Sequence, residues 1–244
     1  MLRTGILMLL VSIFLYGCIG FDEDSVELLY EYSPFDVDTE GWIAAFADYP
    51  VGLEDSMKLA YGHGSIYVSE SIGNVSAFKQ SGYATNSDLF MYIKQQVSGL
   101  VPNSRYKVTI EVELNSQLLL DYQGSLDSKD LGSFLKLGAF KTEPDTLEVF
   151  DAANQEFSTV AVDFDKGENS SGGIDMTFIG RIEYTKLGES PIMLNGNNLD
   201  SPIYTASDSE GKLWIAVGVD TNIPVYQEIS YTYVLAEFEY EGEL

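Results

Sequence analysis

Nine residues limit what this chain can fold into more than any others. From Tyr106 to Leu114 the side chains alternate: Tyr106, Val108, Ile110, Val112 and Leu114 fall on one face, and Lys107, Thr109, Glu111 and Glu113 on the other. A period of two with an apolar and a charged face is the pattern of a half-buried antiparallel strand. The same period recurs along the chain and the helical period is nearly absent, so an all-β protein is expected. Further strands are predicted at Val26–Tyr32, Trp42–Ala47, Ser65–Ser69, Asp88–Val97, Phe134–Ala139, Phe157–Asp163, Ile174–Ile182, Leu213–Val219 and Ser230–Tyr240. Many short strands with turn-rich connections predict a two-sheet antiparallel β-sandwich, a jelly roll, because stacking two sheets hides their apolar faces. Pro102 presets φ and Asn103 tolerates a left-handed conformation, so Gly99–Ser104 reads as a turn joining Asp88–Val97 to the strand that follows as hairpin partners. The last strand is apolar or aromatic on both faces, which predicts a mid-sheet position.

The N-terminus reads as an export signal. One basic residue, Arg3, precedes an uncharged run from Thr4 to Tyr16 that is too short for a spanning helix. The ending Leu15-Tyr16-Gly17-Cys18 resembles the lipobox of prokaryotic lipoproteins, which implies cleavage before Cys18 and a diacylglyceryl group on its thiol. Two acyl chains anchor durably where one does so only marginally. The expected organisation is therefore a signal peptide at 1–17, a lipidated acidic tether at 18–27 and a single domain at 28–244, outside the cytoplasm and attached to the membrane. Removing residues 1–17 from 244 leaves 227, ample for one large sandwich. Cys18 is the only cysteine, so its acylation leaves no thiol for a disulfide, a thiolate nucleophile or a soft metal site.

Thirteen Lys and Arg against 38 Asp and Glu give a formal charge of −25, which repels nucleic acid and anionic headgroups. Disorder is excluded by 45% hydrophobic and 13% aromatic residues. The acidic coat fits either a saline habitat, where salt screens the repulsion, or divalent cations held at selected loops.

Two resemblances concern the domain itself. Phe35-Asp36-Val37-Asp38-Thr39-Glu40-Gly41-Trp42 resembles the opening of carbohydrate-binding, galactose-binding-like jelly rolls. The phrases Phe46-Ala47-Asp48-Tyr49-Pro50, Asp88-Leu89-Phe90-Met91-Tyr92-Ile93-Lys94, Gly99-Leu100-Val101-Pro102-Asn103 and Leu213-Trp214-Ile215-Ala216-Val217-Gly218 resemble a family of uncharacterised prokaryotic surface lipoproteins. This second resemblance spans most of the mature chain and implies a class and a location, but no activity.

Candidate residues follow from chemistry. Asp36, Asp38 and Glu40 place three carboxylates at alternate positions before a glycine, like the first half of a calcium loop. The bidentate Glu that would complete such a loop falls at Ala47 instead. Asp163–Asp175 bunches oxygen donors and glycines between two strands, either as a surface loop or as the lining of a ligand pocket. Asn74 and Asn169 head glycosylation sequons. Sixteen tyrosines and two tryptophans offer rings for stacking on sugars, although Trp42, Tyr106, Trp214, Tyr231 and Tyr233 are expected to pack in the core. Tyr49 and Tyr83 are the rings expected at the surface. His63 is the only histidine, and no nucleophile motif accompanies it. Neither a phosphate loop nor a dinucleotide fingerprint occurs.

The reading that follows is a non-catalytic, lipid-anchored glycan-binding protein, with a structural calcium as its one expected cofactor. Asp48, Tyr49, Asp88 and Asp220 are expected to contact the ligand, Asp220 because it closes an apolar strand at the sandwich rim. A polysaccharide hydrolase using two carboxylates and a structural envelope protein without a small ligand are the alternatives.

Overall fold

The computed structural model describes residues 28–85, 88–119 and 131–244. The expected signal, tether and lipidation site at Cys18 lie outside the described residues, as does the start of the strand predicted from Val26.

Two large sheets face each other in a two-sheet antiparallel β-sandwich of jelly-roll type, with a third small sheet against one of them. The eight-stranded sheet contains β1 (Leu28–Ser33), β4 (Ala60–Ser69), β5 (Gly73–Tyr83), β7 (Ser104–Leu119), β12 (Thr185–Lys186), β13 (Met193–Asn197), β14 (Ile203–Ala206) and β16 (Tyr226–Glu243). The five-stranded sheet has the order β11 (Met176–Arg181), β8 (Ser133–Phe140), β15 (Leu213–Thr221), β6 (Leu89–Val97) and β2 (Ile43–Ala47). The small sheet is β3 (Tyr49–Pro50), β10 (Glu156–Val162) and β9 (Thr146–Asp151), and α1 (Glu54–Met57) is a single helical turn. Among the described residues all pairings are antiparallel except that of the two-residue β12 with β7.

The alternation from Tyr106 to Leu114 does what its pattern requires. Val108, Ile110, Val112 and Leu114 are buried in the main core, while Glu111 and Glu113 stay half-exposed on the outer face. Strand β16 lies in mid-sheet, between β7 on one side and β5 and β1 on the other, as its two apolar faces predict. A register shift between Tyr231 and Tyr233 separates two tyrosines expected to share the core: Tyr231 is fully buried, while Tyr233 is half-buried with its hydroxyl donating to Glu111.

Strands β6 and β7 are not hairpin partners; β6 pairs with β15 and β2 in the five-stranded sheet, and β7 pairs within the other. Gly99 at φ 89° and Asn103 at φ 50° do turn the chain, but they carry it across the sandwich. Consecutive strands β5, β6, β7 and β8 alternate between the sheets. Strand β5 escaped the sequence reading because its core-facing side includes Gln80, whose amide donates to Ala45 O at 2.8 Å and Tyr92 O at 3.1 Å in the opposite sheet. A polar residue breaks the apolar period, yet its buried amide nitrogen finds two carbonyl partners.

The five-stranded sheet is covered on both faces. Its inner residues, Leu89, Met91, Ile93, Leu135, Leu137, Ile215, Val217 and Val219, join the main core. On its outer face Phe90, Tyr92, Phe140, Met176 and Ala216 form a second core, against which Val162, Phe164 and Trp214 pack. This double burial explains the unbroken runs Leu89–Ile93 and Leu213–Val219, which lack a polar face.

Candidate functional site

The second core contains charge. Lys136 on β8 and Asp220 on β15 are fully buried and meet at 2.9 Å. Lys166, in the connection after β10, reaches Asp220 at 2.6 Å and Asp48, between β2 and β3, at 2.9 Å. The Lys136 ammonium also donates to the backbone carbonyls of Lys166 at 3.0 Å and Glu168 at 2.6 Å. The two ammonium groups thus fasten the 163–175 segment to the sheet beneath it. Within that segment Asp165 accepts from the amides of Gly167 and Ile174, each at 3.0 Å, and Asp175 accepts from the Asp165 amide at 2.8 Å. Those two amide bonds hold the Asp165 carboxyl below the usual carboxylate range. The glycines are needed here: a Cβ on Gly173 would lie 2.3 Å from Asp165 O, and Gly167 sits at φ +75° with Gly172 C 2.3 Å from the position of its Cβ.

Asp88 completes the cluster. One carboxylate oxygen each from Asp48, Asp88 and Asp220 lies within 4.8 Å of the others. Three carboxylates and two ammonium groups leave one excess negative charge when all are ionised. Burial, then the Asp48 and Asp220 carboxylates, push the Asp88 carboxyl up to about 7 against the opposing pull of Lys166. Burial likewise raises Asp48, opposed by Lys166, and lowers Lys136, opposed by Asp220. Lys166 is raised, because Asp220 and Asp48 together outweigh its burial.

The fold therefore brings together three of the four residues expected to contact a ligand: Asp48, Asp88 and Asp220. Asp220 Oδ2 is engaged by both lysines, and the Lys166 ammonium stands between two of the carboxylates where a bound cation would sit. Tyr49, expected at the surface, is only 8% exposed and belongs to the small sheet. Among the described residues Asp36, Asp38 and Glu40 form no comparable gathering of carboxylates; Asp38 accepts the Glu40 amide at 2.6 Å and Glu40 accepts the Asp36 amide at 3.3 Å, closing an exposed turn. Trp42, at the end of that turn, is 4% exposed and donates its indole N–H to Ser33 Oγ at 2.9 Å. His63 Nε2 lies 2.8 Å from Phe35 O. Asn74 is exposed and Asn169 half-buried.

A groove lies beside the fastened segment. Its first hollow, ≈ 340 Å³, is lined by Phe140, Lys141, Glu143, Asp163, Ile174, Asp175 and Tyr204 among others. A second hollow, ≈ 460 Å³, is lined by Arg105, Tyr204, Thr205, Ala206 and Glu241. Tyr204 and Thr205 line both, and Tyr204 is 67% exposed. Each hollow is within the usual size range of ligand pockets. Sequence reasoning found the carboxylates of the 163–175 segment but missed Tyr204, because Ile203–Ala206 is too short to show a period and β14 is placed only by pairing with β7.

No family model matches the chain, and no curated protein does. Solved structures similar to it include tailspike protein 4 of bacteriophage CBA120 (enzymatically active domain; 7% identity, TM-score 0.35, 80% of this chain), of which the chain spans only 19%. A carbohydrate-binding module described for specific mannan recognition is similar at 8% identity and TM-score 0.36, covering 87% of this chain and 98% of that one. A sugar-binding protein of Bacteroides thetaiotaomicron, so described provisionally, is similar at 10% identity and TM-score 0.36, covering 83% and 90%.

Two outcomes are expected. Asp220→Ala leaves two buried ammonium groups without their shared partner and is expected to cost about 3–5 kcal/mol in urea unfolding, whereas Lys136→Met combined with Asp220→Leu recovers much of that loss. In the pH dependence, folded Asp88 holds a proton between about pH 4 and 7 that the unfolded chain has released. Its contribution to stability therefore falls as pH rises through that window. Asp88→Asn should match the parent at pH 4 and exceed it at pH 8 by about 1–2 kcal/mol, a figure discounted for solvent screening.

Proposed function

We propose that the protein is a non-catalytic glycan-binding module, held outside the cytoplasm by lipid on Cys18. The observation that carries the binding reading is Tyr204, an exposed ring that lines both hollows. Its apolar face suits the C–H face of a pyranose, while the flanking carboxylates and Arg105 suit hydroxyl groups. Such a site needs a rigid wall, and the Lys136 and Lys166 contacts supply one.

The anchoring reading rests on the sequence around Cys18. Among the described residues no helix is long and apolar enough to cross a membrane, and a lipid on Cys18 gives attachment without one.

The full-length chain in detergent should bind at least one polysaccharide on a glycan array, and Tyr204→Ala should weaken that binding at least tenfold with an unchanged unfolding curve. A folded chain that binds no glycan, or an unaffected Tyr204→Ala variant, would overturn the binding reading. Cys18→Ser should shift the expressed protein from the membrane fraction to the soluble fraction; unchanged partitioning would overturn the anchor.

A further inference from the structure

The two hollows that share Tyr204 and Thr205 differ in charge. Glu143, Asp163 and Asp175 line the first hollow, opposed there by Lys141 alone among the cationic residues of its lining. Each of these carboxylates has one oxygen engaged within the protein: Glu143 Oε1 with the Lys94 ammonium at 2.8 Å, Asp163 Oδ1 with the Asp145 amide at 2.8 Å, and Asp175 Oδ2 with the Asp165 amide at 2.8 Å. The three are thereby held in place, and the second oxygen of each remains an acceptor. Acceptors in a fixed array suit hydroxyl donors and repel a carboxylate or sulfate on the ligand. The second hollow pairs the Arg105 guanidinium with Glu241, which offers both donors and acceptors.

Tyr204 lines both hollows, so a sugar stacked on its ring has room for a neighbour on either side. A site for the end of a glycan would instead be closed beyond the stacking ring, so that only one terminus fits. Here the ring lines two spaces. We infer that the groove binds an internal segment of a neutral polysaccharide, at least three units long, with the central unit on Tyr204 and one unit in each hollow. This inference rests on the glycan-binding reading and specifies its ligand.

The overall charge acts in the same direction. At −25 the protein repels polyuronates and sulfated glycans before contact, and repulsion is strongest at low salt. In close contact the three carboxylates of the first hollow add a short-range repulsion, which salt screens less than the long-range part.

The test uses the full-length chain in detergent with neutral oligosaccharides of one to six units from mannan, galactan, xylan and β-glucan, and with alginate and polygalacturonate as anionic probes. For the neutral series that binds, affinity is expected to rise at least tenfold from one unit to three and to level off beyond four. Reducing the terminal unit to the alditol in a hexamer should leave its affinity unchanged, and the polyuronates should bind at least tenfold more weakly even at high salt. Arg105→Ala and Asp175→Asn, each at one of the two hollows, should each weaken the trisaccharide at least threefold, and a trisaccharide bound equally well by both variants would overturn the inference. Asp175→Asn keeps an acceptor for the Asp165 amide, and unfolding curves check that both variants fold. A monosaccharide that binds as tightly as the trimer, a hexamer that loses affinity on end reduction, or polyuronates that bind equally well would overturn this inference and leave the glycan reading standing. Binding to none of the probes or arrayed glycans by a folded chain would overturn both.

Discussion

Asp220 is the point on which the outer half of this molecule depends. A carboxylate with no solvent exposure is tolerable only if charge reaches it, and two ammonium groups do, from β8 and from the segment after β10. The same ammonium groups reach Asp48 and the carbonyls of 166 and 168, so one buried charge joins the five-stranded sheet, the corner before the small sheet and the wall of the groove. A buried ion pair of this kind adds little net stability compared with an apolar core, but losing one partner is costly. What it adds here is position.

That arrangement divides the sandwich into two unlike faces. The eight-stranded sheet leaves its outer face to solvent, with Glu111, Glu113, Tyr30 and Tyr32 at least partly exposed. On the five-stranded sheet, the outer face carries a second core roofed by the small sheet and the 163–175 segment. The groove runs along the border of that roof, where a fixed wall meets the short strand bearing Tyr204. The exposed ring and the fixed acceptors both arise from this border.

How much was legible from the sequence depended on whether one face of a strand is wet. Strand β7 reads directly, because Lys107, Thr109, Glu111 and Glu113 contrast with a buried row. Strands β6 and β15 show as continuous apolar runs whose sheet partners cannot be deduced, and β6 was accordingly assigned the wrong neighbour. Asp48, Asp88 and Asp220 were identified as noteworthy acids without any sign that they meet, since 40 and 132 residues separate them in turn. Their lysine partners gave no signal, because Lys136 lies inside an apolar run where its alternation resembles an outward-facing residue.

By itself, the sequence determined the class of the fold, the turn at Asn103, the central place of β16 and the chemistry left to a chain whose only thiol is Cys18. Local forces set these: the period of a strand, the φ that a residue tolerates, and the residue types present. Which acids are buried, which lysines neutralise them and which tyrosines stand in the open were decided by the tertiary structure. Burial and pairing are properties of what comes to lie opposite a residue, and in a sandwich whose chain alternates between sheets from β5 to β8, that partner is usually far away in sequence.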